Sequence, residues 1–329
     1  MRVLIIGFSV TEMPGSYVPR LQRLLDQRAP SWSLTFCGLG GVTIEALSYF
    51  VDQILDEYAE CDHICYEVAS GNGRYIYQGK LNKSSDFEQA LWSMIEALVL
   101  KAKRRNASVS FINFPRQDVL YSDDFLERII REVCIIHHLP ALELSRELFE
   151  LSIPPEDFLL DSVHPTPLGA EFYAEKVYYL LEQIANQSRP PALPGQSASG
   201  LGYLSFADLS QAENKRFERR GFSAPYIEIK GGGNIEVNLP EPMLIKGLSA
   251  IVGPKSGIIN VYTENYNSFN LYDEYCYYER MMTINEDMGV SGWVKIELSE
   301  DLPTIPLLKG EPDLGERSIG LIHLYTEPV

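Results

Sequence analysis

The chain has 329 residues, of which 45% are hydrophobic and 22% are charged, and its formal net charge is −17. This composition is that of an ordinary globular protein, and the length favours two domains, or one domain with a substantial appendage. The acidic excess argues against nucleic acid and anionic membrane surfaces as partners and favours a neutral or cationic substrate. The sequence shows neither a signal-peptide pattern nor a membrane-spanning apolar run, so we expect a cytoplasmic protein.

Strand-like apolar runs alternate with helical patterns over residues 1–187. The predicted strands are 3–6, 33–37, 63–69, 109–114 and 141–144, and the predicted helices are 17–28, 44–58, 87–105, 123–137 and 166–184. Such alternation predicts a parallel sheet with helices on both faces. Ligands of these sheets bind beyond the carboxyl ends of the strands, and Ser9, Gly41 and Asn72 all follow a predicted strand at that end.

The sequence pattern changes after a segment rich in Pro, Gly, Ser and Ala at 188–202, which we interpret as a linker. Short alternating runs follow at 226–230, 234–239, 244–252, 258–263, 275–284, 293–298 and 318–325. About seven short strands without a convincing helix predict an all-β sandwich, jelly-roll-like, over 203–329. The predicted organisation is therefore a domain at 1–187, a linker and a β-domain.

The residues for acyl transfer occur in two separate places. Ser9 ends the first apolar run, and Asp161-Ser-Val-His164 lies before the last predicted helix of the first domain. A hydroxyl is a weak nucleophile that needs an adjacent base, and a carboxylate must hold that base in the right tautomer. Either half alone has an ordinary structural explanation, since most serines near strand ends and most Asp-x-x-His spacings have no chemical role.

Four blocks in chain order resemble the SGNH (GDSL-like) hydrolases over residues 1–187. They are Gly7-Phe-Ser9-Val-Thr11, Gly38-Leu-Gly-Gly41-Val-Thr43, Ser70-Gly-Asn72 and Asp161-x-x-His164-Pro165. The resemblance implies a flavodoxin-like three-layer α/β/α fold with a catalytic triad of Ser9, His164 and Asp161. It also implies an oxyanion hole formed by the backbone N–H groups of Ser9 and Gly41 and by the Asn72 side chain.

The sequence departs from the family's pattern at three positions. Phe8 stands where the family usually has Asp, Ser70 where it usually has Gly, and Gly73 where an Asp often follows the Asn. None of the three replaces a group with a direct chemical role. They leave the shape of the substrate site open, and they motivate a non-catalytic alternative.

Further candidates are less specific. Arg74 and Tyr75 follow the third block and Arg116 follows the fourth predicted strand, so each is a candidate for substrate contact, although a solvated loop position explains each of them more simply. The tyrosines of the β-domain are candidates for a sugar-stacking platform, and strand packing explains them equally well: Tyr262, Tyr266, Tyr272, Tyr275, Tyr277 and Tyr278. The five cysteines show no paired spacing, and we expect neither a metal nor a cofactor.

These features predict a serine esterase that removes short acyl groups, such as acetyl, from a carbohydrate or a small ester. One alternative keeps the site and transfers the acyl group to a sugar hydroxyl. Another is a non-catalytic carbohydrate-binding or scaffold protein with a degenerate hydrolase fold, and a serine peptidase is not excluded. The sequence does not indicate an oligomeric state.

Overall fold

A computed structural model describes residues 1–71, 86–117, 124–150, 152–186, 200–302 and 304–329, with the side chain of residue 149 left out. The chain divides into two compact units. One comprises Met1–Ile44 and Val51–Ser199, and the other comprises Glu45–Phe50 and Gly200–Val329. The predicted linker falls almost wholly within 187–199, outside the described residues, so the predicted domain boundaries remain predictions.

The first unit contains a five-stranded parallel sheet with the order β2-β1-β3-β4-β5. Its strands are β1 (Arg2–Gly7), β2 (Ser33–Gly38), β3 (His63–Glu67), β4 (Ser108–Asn113) and β5 (Ala141–Glu143). The helices before residue 200 are α1 (Ser9–Glu12), α2 (Val18–Arg28), α3 (Ile44–Glu57), α4 (Phe87–Arg104), α5 (Phe125–His137), α6 (Leu144–Glu150), α7 (Pro155–Phe158) and α8 (Pro167–Ala185). All belong to the first unit except residues Glu45–Phe50 of α3, which are assigned to the second. This strand order is that of flavodoxin-like folds, as the resemblance implied.

Burial on both faces of the sheet explains why its central strands are continuous apolar runs. Val3 and Ile5 of β1 belong to one core cluster with residues of α2 and α8. Leu4 and Ile6 point to the opposite face and are equally buried. The predicted α/β fold with helices on both faces is therefore confirmed, and in such sheets ligands bind beyond the carboxyl ends of the strands.

The second unit is an antiparallel sheet of nine strands in the described residues, with the path β11-β10-β13-β9-β14-β8-β7 and with β12 and β6 paired to β9 and β14. The strands are β6 (Gly202–Ser205), β7 (Asn214–Arg219), β8 (Phe222–Lys230), β9 (Asn234–Val252), β10 (Ile258–Tyr262), β11 (Tyr266–Asn270), β12 (Arg280–Ile284), β13 (Gly289–Leu298) and β14 (Ser318–Pro328), with one short helix, α9 (Phe206–Leu209). The predicted second, all-β domain is confirmed.

Three details of this unit differ from the sequence-based expectation. The predicted strand 275–284 is a strand only over Arg280–Ile284, because residues 274–277 form a turn. The predicted strands 234–239 and 244–252 are parts of one strand, β9, whose pairing with β13 is interrupted between Asn238 and Met243. Pro240 and Pro242 lie in that interruption, where a residue without a backbone N–H costs no ladder hydrogen bond. β6, β7 and β11 were not predicted: β6 has only four residues, and β7 and β11 are mostly polar.

No helix in the described ranges combines the length and the apolar character needed to cross a membrane.

Candidate active site

Ser9 lies directly beyond the carboxyl end of β1, as the first residue of the one-turn helix α1. Its carbonyl accepts the N–H of Met13 at 3.0 Å, and its side chain is half-buried. The preceding Gly7 has no room for a side chain, because a Cβ there would lie 2.1 Å from Oγ1 of Thr11. The strand-to-helix turn therefore presents Ser9 at the carboxyl edge of the sheet.

The glycine-rich loop after β2 lies beside this turn. Leu39 donates its N–H to the carbonyl of Gly7 at 2.8 Å, and a Cβ on Gly40 would lie 3.7 Å from Cα of Ser9. Gly41 has a φ of 91°, in the region that favours glycine. The predicted second oxyanion donor therefore belongs to a loop that is hydrogen-bonded to the turn that carries Ser9.

The loop after β3 also reaches the Ser9 turn. A Cβ on Gly71 would lie 2.2 Å from Cδ2 of Phe8, so the Phe8 ring occupies the space that a larger residue at 71 would need. Phe8 itself is buried, with 1% of its surface exposed. At the position where the sequence resemblance led us to expect an Asp, Phe8 thus makes an apolar contact with Gly71, the residue before Asn72. Asn72, Arg74 and Tyr75 lie outside the described residues, and their predicted roles remain predictions.

His164 and Asp161 form a closed pair on the loop between α7 and α8. Nδ1 of His164 lies 2.8 Å from Oδ2 of Asp161, while Oδ1 accepts the backbone N–H groups of His164 at 2.8 Å and Val163 at 2.9 Å. Since the carboxylate accepts, Nδ1 carries the ring proton and Nε2 is left as the basic atom. Partial burial opposes ionisation of Asp161, but these hydrogen bonds lower the pKa of its carboxyl below the ordinary value.

Backbone hydrogen bonds fix this loop against the same edge of the sheet. The carbonyl of Ser162 accepts the N–H of Gln117, which follows β4, at 2.8 Å. The carbonyl of His164 accepts the N–H of Leu160 at 2.8 Å. Thr166 then caps α8, because its Oγ1 accepts the N–H of Gly169 at 3.0 Å. The His-Asp pair, the Ser9 turn and the loops after β2 and β3 therefore share the carboxyl edge of one sheet.

Glu67 is a residue of this region that the sequence analysis missed. It ends β3, is fully buried, and accepts hydrogen bonds from Phe8, Thr11 and Ser70. Burial raises the pKa of Glu67 to about 7, against the opposing effect of those hydrogen bonds. A carboxylate at the end of the apolar run His63-Ile-Cys-Tyr-Glu67 was the available signal, since charged residues are seldom fully buried without partners.

Arg116 is buried, with 4% of its surface exposed. Its guanidinium donates to the carbonyl of Ala69 at 2.8 Å and lies 3.5 Å from Oδ2 of Asp124. These contacts tie it to the loop after β3. Its candidate role in substrate contact remains a prediction.

The tyrosines of the β-domain occupy different environments. Tyr272 lies in the core, with 1% of its surface exposed, whereas Tyr266 is 61% exposed. The ring centroids of Tyr266 and Tyr262 are 5.3 Å apart. Tyr277 and Tyr278 form a second pair, with their ring centroids 4.9 Å apart.

No group of three or more His, Cys, Asp or Glu side chains in the described ranges is arranged to hold a metal ion.

Comparison with known proteins identifies the fold. No family model and no curated protein matches the sequence. Among solved structures, a two-domain esterase, CEX, active on acetylated mannans, has a TM-score of 0.66 at 13% identity, over 100% of this chain and 92% of that one. The same esterase co-crystallized with mannopentaose has a TM-score of 0.65 at 12% identity, over 100% of this chain and 91% of that one. An acetyl xylan esterase, AlAXEase, gives 0.45 at 19% identity over 54% of this chain and 98% of that one. At 13% identity the first likeness shows a shared fold that spans both units.

Proposed function

We propose that this protein is a serine esterase that removes short acyl groups, acetyl first among them, from a carbohydrate. The observation that carries the proposal is the His164–Asp161 pair, with Nδ1 and Oδ2 2.8 Å apart, on the same sheet edge as the turn that presents Ser9. The carboxylate holds the imidazole in the tautomer that a general base needs. Parallel strands bring these distant blocks to one edge.

In the proposed reaction, Ser9 Oγ attacks the ester carbonyl carbon while Nε2 of His164 takes the hydroxyl proton. The tetrahedral intermediate collapses as His164 returns that proton to the departing alcohol oxygen, which leaves an acyl-Ser9 ester. His164 next removes a proton from a water molecule that attacks the acyl carbon. Collapse of the second intermediate releases the carboxylic acid and restores Ser9. Asp161 stabilises the imidazolium in both halves.

Negative charge develops on the former carbonyl oxygen in each half of the reaction. The backbone N–H groups of Ser9 and Gly41 and the Asn72 amide are the proposed donors. Each such donor is worth on the order of 10²–10³ in rate. The hydrogen bond from Leu39 to the carbonyl of Gly7 and the Phe8 ring beside Gly71 support this grouping, because they join both donor loops to the nucleophile turn.

Two observations support an acylated carbohydrate as substrate. The fold is shared over both units with an esterase active on acetylated mannans. The chain carries a net charge of −17, which disfavours polyanionic substrates and suits a neutral polysaccharide. An acetylated mannan oligosaccharide is therefore the first substrate to test.

The exposure of the His-Asp pair supports hydrolysis over acyl transfer. The side chains of His164 and Asp161 are 31% and 55% exposed, so the pair is not sealed from solvent. A transferase must keep water from its acyl-enzyme. Release of acetate with and without a sugar acceptor separates the two reactions, and an acceptor-dependent acetylated product would favour the transferase.

The deciding experiment is intact mass after treatment with a fluorophosphonate. We expect one adduct on the wild type and none on Ser9→Ala or His164→Ala. Ser33→Ala is the matched control, because Ser33 is an exposed serine at the opposite edge of the same sheet. A folded wild type that takes no adduct would overturn the esterase proposal and favour the non-catalytic alternative.

A further inference from the structure

The buried carboxylate of Glu67 joins two segments that the proposed reaction must hold together. Its Oε2 accepts the backbone N–H of Phe8 at 3.2 Å and the hydroxyl of Thr11 at 2.9 Å, and both donors belong to the Ser9 turn. Its Oε1 accepts the hydroxyl of Ser70, two residues before Asn72. The backbone N–H of Ser70 adds a further hydrogen bond to the carboxyl group.

Neighbouring residues are shaped around this carboxylate. A Cβ on Gly7 would lie 2.8 Å from Oε2 of Glu67 and 2.1 Å from Oγ1 of Thr11. A larger residue at position 7 would therefore push the Thr11 hydroxyl away from the Glu67 carboxylate. Because the single hydroxyl proton of Thr11 goes to Glu67, the hydroxyl of Tyr17, 3.1 Å away, donates to Thr11 in turn. The carboxylate thus ends a short buried chain of hydrogen bonds.

We infer that Glu67 is a positioning residue that fixes the Ser9 turn relative to the start of the next loop, Ser70 and Gly71, which leads to the proposed oxyanion donor Asn72. In this chain Phe8 occupies the position of the family's usual Asp, and the carboxylate reaches the turn from the adjacent strand β3. The inference rests on the proposed esterase function. It adds a residue that does not touch the substrate and acts through Ser9 and Asn72.

A carboxylate suits this position because both of its oxygens accept. Glutamine has the same length but offers one accepting oxygen and one donating NH₂ group. In the variant Glu67→Gln, with the amide oxygen toward Phe8 and Thr11, the introduced NH₂ group would face Ser70 in place of the oxygen that accepts its hydroxyl. The variant therefore changes the contact with Ser70 and keeps the hydrogen bonds to Phe8 and Thr11. It tests the contribution of the Glu67–Ser70 contact alone.

We expect Glu67→Gln to lower kcat for an acetyl ester by about ten- to hundred-fold, with KM little changed, since small displacements of catalytic groups carry costs of that order. The fluorophosphonate labelling rate of Ser9 should fall in parallel. Glu127→Gln is the matched control. Glu127 is also buried, and its burial raises the pKa of its carboxyl to about 7. Its Oε1 accepts the hydroxyl of Ser145, on another helix, at 3.0 Å. Its replacement should leave both rates within about twofold of wild type.

A second variant covers the case in which Glu67→Gln does not fold. Ser70→Ala removes one donor to Oε1 and leaves the buried carboxylate held by Phe8 and Thr11. We expect it to lower kcat and the labelling rate in the same direction, and to add little when combined with a folded Glu67→Gln, because both changes break one link. Additive losses, or unchanged kcat and labelling in these variants, would overturn the inference while leaving the esterase proposal intact. A wild type that is not labelled at all would overturn both.

Discussion

Asp161 holds His164 through two separate atoms of the histidine. Its Oδ2 lies 2.8 Å from Nδ1 of the ring, and its Oδ1 accepts the backbone N–H of the same residue at 2.8 Å. The three-residue spacing makes this double contact possible within one turn. The ring is thereby fixed in both tautomer and direction, with Nε2 directed away from the carboxylate.

Asp161→Asn should lower kcat strongly while the protein stays folded. An asparagine can present its NH₂ group to Nδ1, which favours the wrong ring tautomer, and losses on the order of 10²–10⁴ follow from such changes. The measurement is kcat for an aryl acetate together with the melting temperature. Glu156→Gln is the control, since Glu156 is an exposed carboxylate on the nearby helix α7. Equal activity in the two variants would contradict the role of Asp161.

Gly41→Ala should reduce kcat more than it reduces stability. The φ of 91° at Gly41 strains any residue with a Cβ, at a cost of about 1–2 kcal/mol. The strain moves a backbone N–H proposed to hold the oxyanion. Gly310→Ala is matched to it, because Gly310 has a φ of 76° and open space around it. We expect a similar loss of stability and no loss of kcat in the control.

Phe8→Asp, which introduces the residue that SGNH hydrolases usually have before the nucleophile, should destabilise this protein. Phe8 is buried, and its ring fills the space beside Gly71. An aspartate would leave that space empty and bury a second carboxyl close to Glu67. Phe8→Leu keeps an apolar side chain and should lose less stability than Phe8→Asp. Thermal unfolding compares the two, and a Phe8→Asp variant as stable as Phe8→Leu would contradict this explanation.

Glu67 should make stability depend on pH. The pKa of Glu67 in the folded protein, about 7, lies above the ordinary glutamate value of 4.5. The folded state therefore binds this proton more tightly, and the associated stability is full below about pH 4.5 and is lost as the pH rises through 7. Between these values wild type should lose up to about 1.4 kcal/mol per pH unit more than Glu67→Gln. Denaturant unfolding at several pH values tests this, and parallel pH profiles would contradict it.

Patterns along the chain were enough to predict most elements of the first unit. The apolar runs of β1 to β4 and the periodic stripes of α2, α3, α4, α5 and α8 predicted those elements within about two residues, because buried strands and amphipathic helices have distinct periods. The short helices α1, α6 and α7 were missed. One or two turns leave no periodicity, and such helices form only where the surrounding structure holds their ends.

The β-domain was less predictable. Its class followed from alternating runs and turn residues, but β9 was divided in two at Pro240 and Pro242. Strand identity there depends on partners distant in the sequence, such as the pairing of Ile251 with both Met281 of β12 and Gly320 of β14. No local pattern encodes those partners.

The sequence by itself determined the fold class, the four blocks of candidate site residues and their order at strand ends, because hydrophobic periodicity and short motifs are local properties. Only the tertiary structure decided what surrounds them. It placed the Phe8 ring against Gly71, buried Arg116 beside Ala69, and brought Glu67 to the Ser9 turn. Burial and hydrogen bonds between residues about 60 positions apart arise from packing, and they determine whether a carboxylate is a surface charge or part of a site.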